Sequence, residues 1–98
     1  MMTKGWNDFQ KGVEVKASDY SNDITVCYNG LLAKSGADQV FLHYGFGDRW
    51  MDTSTDKMNR TYRGWEKNIK MKSDKVNFCF KDSADHWDNN NGSNWIVR

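Results

Sequence analysis

Three stretches of this chain alternate between apolar residues and others with a period of two. "ITVCY" sets Ile24, Val26 and Tyr28 on one side and Thr25 and Cys27 on the other. "VFLHY" sets Val40, Leu42 and Tyr44 against Phe41 and His43, and "VNFCF" sets Val76, Phe78 and Phe80 against Asn77 and Cys79. Side chains that alternate in this way belong to strands with one face in the core. "VEV", "NIKMK" and "WIV" are shorter segments of the same kind. Polar or glycine-containing breaks follow at close intervals: "SDYSND", "SGADQ", "GFGDR", "DTSTD" and "KSDK". Short strands with frequent turns specify an antiparallel sandwich or barrel. No segment carries the 3.6-residue period of a long amphipathic helix. Val40, Leu42, Tyr44, Val76, Phe78 and Phe80 are expected to point inward.

A chain of 98 residues suits one domain, 1–98, with residues 1–12 read as a loose N-terminal arm. Hydrophobic content is low at 38% while aromatic content is high at 14%. Either a few large side chains fill the core, or some aromatics lie outside it. Cys27 and Cys79 match no metal or CxxC spacing. Both lie on the faces opposite the apolar ones, so free thiols are expected. No apolar run reaches the ~20 residues of a membrane span, and "MMTKGWNDF" lacks the apolar core of a signal peptide.

The net charge of +1 gives no overall field for nucleic acid or membrane. The basic groups are unevenly placed, with Lys57, Arg60, Arg63, Lys67, Lys70 and Lys72 set against Glu66 alone in residues 57–72. Tyr62 and Trp65 interleave with these cations. That pattern offers a single-stranded nucleic-acid platform as an alternative function. The reading preferred here is a solvated strand face, because the whole chain is nearly neutral.

The stretch "FKDSADHWDNNNGSNW", residues 80–95, poses a different question. Small polar residues make loops, yet Trp87 sits in the middle of this one with only Ala84 as an apolar neighbour. Trp95, by contrast, alternates with Val97 as a core residue does. Trp87 therefore reads as exposed, and an exposed tryptophan marks a binding surface. Amides and carboxylates beside an indole suit a sugar: the apolar C–H face of a pyranose lies on the ring, and an amide can donate to and accept from neighbouring hydroxyls. Asp88, Asn89 and Asn90 have this chemistry. His43 is presented on the outer side of its strand, and Trp50 follows the glycine-containing turn after it.

Two rival chemistries are weaker. Asp82, Asp85 and Asp88 could serve as glycosidase acids, but a glycosidase needs a second carboxylate across a cleft and nothing fixes one. An EF-hand alignment with Gly92 at position six puts Trp87 at position one and fails. No cofactor is expected, and a non-EF calcium site is the one metal option left open.

The ordered set "VFLHYGFGDRW", "KMNRTYRGWEKNIKM" and "FCFKDSADHWDNNNGSNW" resembles the starch-binding carbohydrate-binding modules of family 25 and the related family 53. The resemblance runs from about Val13 to Val97. It implies an immunoglobulin-like β-sandwich with no catalytic activity that binds α-1,4-glucan: starch, glycogen or malto-oligosaccharides. Carried over by position, the family's site falls on His43, Trp50 and Trp87, with Asp88, Asn89 and Asn90 reaching sugar hydroxyls. An α-glucan curves, so Trp50 and Trp87 are expected to be inclined to each other, with His43 between or beneath them. The charged pair Asp48–Arg49 departs from the plainer turn usual in the family. Such modules are commonly appended to amylases. The expected compartment is therefore the cytoplasm for a whole protein, and outside the cell for a domain cut from a secreted amylase.

Overall fold

The computed structural model describes residues 5–18 and 21–98; Asp19 and Tyr20 of the "SDYSND" break lie outside them. In chain order the elements are β1 (Trp6–Asp8), β2 (Val13–Ala17), β3 (Asp23–Tyr28), α1 (Leu31–Lys34), β4 (Val40–Phe46) and β5 (Met51–Lys57). They are followed by β6 (Asn59–Thr61), β7 (Gly64–Lys70), β8 (Val76–Asp82), β9 (Trp87–Asp88) and β10 (Trp95–Val97). One antiparallel sheet has the order β1-β2-β3-β7-β6. The other has the order β10-β8-β4-β5, with β9 also paired to β8. The sets β2-β3-β7-β6 and β10-β8-β4-β5 follow the immunoglobulin order. The fold is an all-β, antiparallel, immunoglobulin-like sandwich, as the family resemblance implies.

The inner faces make one core. Ile24, Val26 and Tyr28 meet Val40, Leu42, Val76, Phe78 and Phe80, all nearly free of solvent contact. Tyr44, the sixth residue expected inward, is half-buried and packs against that core. Its hydroxyl donates to Asp56 at 2.6 Å. Large aromatics fill the middle: Tyr28 stacks on Phe80 with ring centroids 3.9 Å apart, and Trp95 stacks on Phe78 at 6.2 Å. Met58, where the chain crosses from one sheet to the other, and Trp65 are also buried.

Two segments differ from the sequence reading. "DTSTD", taken as a break, is the middle of β5. β5 is an edge strand, largely exposed on both faces, so it has no apolar alternation to reveal it. Within the stretch read as an arm, Trp6–Asp8 form β1 and pair with β2, Trp6 opposite Val15. Trp6 stacks on Phe78 at 6.1 Å, which holds the strand against the core.

Cys27 and Cys79 are free and buried. By register they lie on the outer faces of different sheets, Cys27 beside Glu14 and Glu66 and Cys79 beside His43. Burial, and then the Glu66 and Glu14 charges, push the Cys27 thiol up to about 12. Burial and Asp88 push Cys79 up to about 11. Neither thiol is a nucleophile at neutral pH.

Trp95 is the test of this core, since it touches Phe78 and Phe80 and its indole Nε1 donates to Asp8. Trp95→Ala should cost about 3–5 kcal/mol through the cavity it leaves. The midpoint of a thermal melt should then fall by more than about 10 °C.

Candidate functional site on the outer face of the second sheet

The site is assembled on the face of β4 and β8 that turns away from the core. Antiparallel partners share a face. His43 pairs with Cys79 and Thr55, and Phe41 pairs with Lys81 and Lys57. Lys81 in turn pairs with Trp87. Trp87 therefore stands on the same outer face as His43, and it is 46% exposed.

Trp50 reaches that face by an unusual turn. Opposite Gly45 the ladder slips, so that Tyr44 pairs with Ser54 but Phe46 pairs with Met51. Gly47, at φ 69°, has both backbone groups held: its N–H donates to Lys75 O at 2.9 Å, and its carbonyl accepts from Asn77 Nδ2 at 2.7 Å. Asp48 pairs with Lys75 at 2.7 Å, so the acidic member of the charged pair that departs from the family pattern anchors the turn. Trp50 takes φ 54°, a region bulky residues avoid. Its indole lies over Gly45, where a Cβ would come within 2.9 Å of Trp50 Cα and Cε3. Gly45 is needed here because a side chain on the outer face would occupy the seat of the ring.

His43 lies between the two tryptophans. Its ring stacks on Trp50 at 5.7 Å with planes inclined by 29°, and meets Trp87 edge-on at 5.4 Å and 86°. The planes of Trp50 and Trp87 are therefore inclined to each other by at least the difference, roughly 57°. His43 Nδ1 is hydrogen-bonded to Thr55 Oγ1 at 2.7 Å, and Nε2 has no partner among the described residues. Burial first, and then the Lys81 charge, hold the imidazole below its ordinary pKa, so it is neutral at pH 7. Lys81 Nζ lies 5.8 Å from the Phe41 ring centroid and 5.4 Å from that of Trp87, and pairs with Asp85 at 2.8 Å. The lysine braces Trp87 by a cation–π contact.

The polar residues beside Trp87 do not all share its face. Asp88 pairs with the core residue Phe80, so its carboxylate turns inward, where Tyr28 Oη donates to it at 2.6 Å. Both ends of the Asn90 amide are engaged in the protein: Nδ2 donates to Asn94 O at 3.0 Å, and Oδ1 accepts from Lys11 Nζ. Asn89 is exposed; its Oδ1 accepts from Gly92 N at 3.0 Å, and its Nδ2 has no partner among the described residues. The loop aspartates also have structural partners. Asp82 accepts from the backbone N–H groups of Ala84 and His86 at 2.9 and 2.8 Å. Burial raises its pKa, but these bonds and the His86 side chain outweigh that and hold it low. Asp85 pairs with Lys81, so the three carboxylates do not converge. Among the described residues, no three His, Cys, Asp or Glu side chains come together as a metal site.

The cations of 57–72 are spread over several surfaces. Lys57 is on β5, Arg60 covers Trp65 at 5.7 Å, and Arg63 pairs with Glu14 at 3.6 Å and covers Tyr62 at 5.5 Å.

A family model for a starch/carbohydrate-binding module, family 53, matches residues 24–78, more than half of the chain. The chain belongs to this family. The matched span of the module contains His43 and Trp50 and ends before Trp87. The module is also similar to an alpha-amylase of Clostridium acetobutylicum, at 33% identity over 92 residues. That similarity covers 92% of this chain but 12% of the amylase, so the module corresponds to a small part of that protein. No solved structure matches it.

Sequence reasoning missed four supports of the site: Gly45, Asn77, Thr55 and Lys81. Alternation through "FCFKD" could have put Lys81 on the outer face with Phe41 and His43. The part played by Gly45 depends on the slipped ladder opposite it, which has no sequence signature of its own. Gly45→Ala should displace Trp50 while sparing the core. In a two-dimensional NMR spectrum the Trp50 indole resonance should shift, and those of Trp65 and Trp95 should stay in place.

Proposed function

We propose that the module binds α-1,4-glucan without catalysis, placing successive glucosyl rings on Trp50 and Trp87 with His43 between them. The observation that carries this reading is the steep inclination of the two indole planes. Each α-1,4 linkage turns the next ring, so a curved glucan presents its apolar faces at an angle. A flat β-1,4 chain does not. Neutral His43 offers Nε2, and Asn89 offers Nδ2, to hydroxyls at the ring edges. Asp88 and Asn90 support the site from behind: Tyr28 holds one oxygen of Asp88, and Lys11 and Asn94 engage the two ends of the Asn90 amide. The similarity to an alpha-amylase supports a place for the module beside a catalytic domain of that kind in a longer chain.

The platform is built before the ligand arrives, on two strands and a pinned turn, so binding should involve little rearrangement. Losing one aromatic–sugar contact should cost on the order of 1–3 kcal/mol, by analogy with bases stacked on aromatics. Trp87→Ala should weaken maltoheptaose binding about tenfold or more in calorimetry, with the thermal midpoint nearly unchanged. Survival of sugar binding in a folded Trp87→Ala variant would sink the platform. Binding should also change little with ionic strength, whereas contact with nucleic-acid phosphates would weaken steeply.

His43 gives a pH dependence. Its pKa in the folded protein lies below the ordinary value of 6.5. A sugar buries the ring further and disfavours the imidazolium more. Affinity should therefore be flat from about pH 8 down to about pH 6.5, and fall only below that, as the free protein takes up the proton. His43→Gln should flatten the acid limb of that profile.

A further inference from the structure

We infer that the glucan site continues past Trp87, over the edge of its sheet, into a cleft between the 89–94 loop and α1. This rests on the platform reading above and extends it by one subsite. The row Trp50–His43–Trp87 runs from the β4–β5 side of the sheet to its β9 edge. Beyond that edge lies a cleft of about 300 Å³, lined by Gln10, Lys11, Leu31, Lys34, Asp88 and Asn91 among others. Its volume is at the small end for a ligand cleft and suits an extension of a longer site.

The lining has the chemistry of a sugar subsite. Leu31 is 62% exposed and lends the cleft lining an apolar surface among polar side chains. The side chains of Gln10, Lys34 and Asn91 have no hydrogen-bond or ion-pair partner among the described residues, and the Lys11 ammonium keeps donor capacity, since it gives one of its three protons to Asn90. The second oxygen of Asp88 is likewise unpartnered beside the one that Tyr28 holds. Unpaired donors and acceptors beside a small apolar surface match a pyranose, which has hydroxyls at its rim and C–H groups on its face. The curvature of the ligand makes the path workable: a chain that turns at each linkage can round a sheet edge that a straight chain would overshoot. The cleft also accounts for Asp88 and Asn91, polar residues next to Trp87 that the platform itself does not use.

Calorimetry on the whole chain with maltotriose and with maltoheptaose separates the two parts of the site. The wild-type chain should bind the longer sugar more tightly. Leu31→Asn combined with Lys34→Ala, both at exposed positions, should leave the thermal midpoint and maltotriose affinity in place. Maltoheptaose affinity should fall about fivefold, the equivalent of one net hydrogen bond. An unchanged maltoheptaose affinity, or an equal loss for both sugars, overturns the extension and leaves the platform standing. A wild-type chain that binds neither sugar overturns the platform, and the extension with it.

Discussion

A buried phenol must find partners for its hydroxyl, and in this protein that need connects the core to the face that carries the tryptophan row. Tyr28 is fully enclosed and stacked on Phe80. Its hydroxyl donates to Asp88 and accepts from the backbone N–H of Leu32 at 3.0 Å. One side chain thus ties β3 to β8, to the start of α1 and to β9. Burial, reinforced by the Asp88 carboxylate, raises the pKa of the phenol, so it stays protonated and keeps its donor. Because β9 has two residues, drawing Asp88 inward sends Trp87 outward. A polar contact at the margin of the core is therefore what exposes the indole.

Trp50 reaches the same face by a different route. There the backbone carries the cost: a positive φ at a bulky residue, held by hydrogen bonds from Asn77 and to Lys75 around Gly47. The absent side chain of Gly45 leaves room for the ring. His43 then fills the gap between the two tryptophans, and Thr55 fixes one of its nitrogens. Each ring of the row is positioned by a strand or a tied turn, which is why the surface can be both exposed and ordered.

How much of this was legible in the sequence follows from which residues touch the core. Val40, Leu42, Val76, Phe78 and Phe80 announce their strands because only alternate residues enter the apolar core between the sheets, and that contrast in side-chain type repeats every second residue. β5 gives no such contrast, since it lies at an edge with both faces largely open. β9 is too short to show a period at all. The exposure of Trp87 could be read from its polar neighbours. The inward turn of Asp88 could not, because a residue's side of a strand is undefined until the strand is recognised. The amides of 89–91 looked alike for the same reason. Their roles are divided by loop geometry, with Asn90 and Asn91 at positive φ and the Asn90 amide spent on Lys11 and Asn94.

The charges around the row bear on what it can select. Lys81 is the cation closest to His43 that affects its titration, and it is held between two aromatic faces and paired with Asp85. A cation used in this way steadies a ring and keeps a neighbouring imidazole neutral, but it presents little free charge to a ligand. The row therefore offers apolar faces and neutral hydrogen-bonding groups, which discriminate by shape more than by charge. For the neutral glucan proposed above, that is the available basis of recognition, and the angle between Trp50 and Trp87 is the shape that such a ligand would have to match.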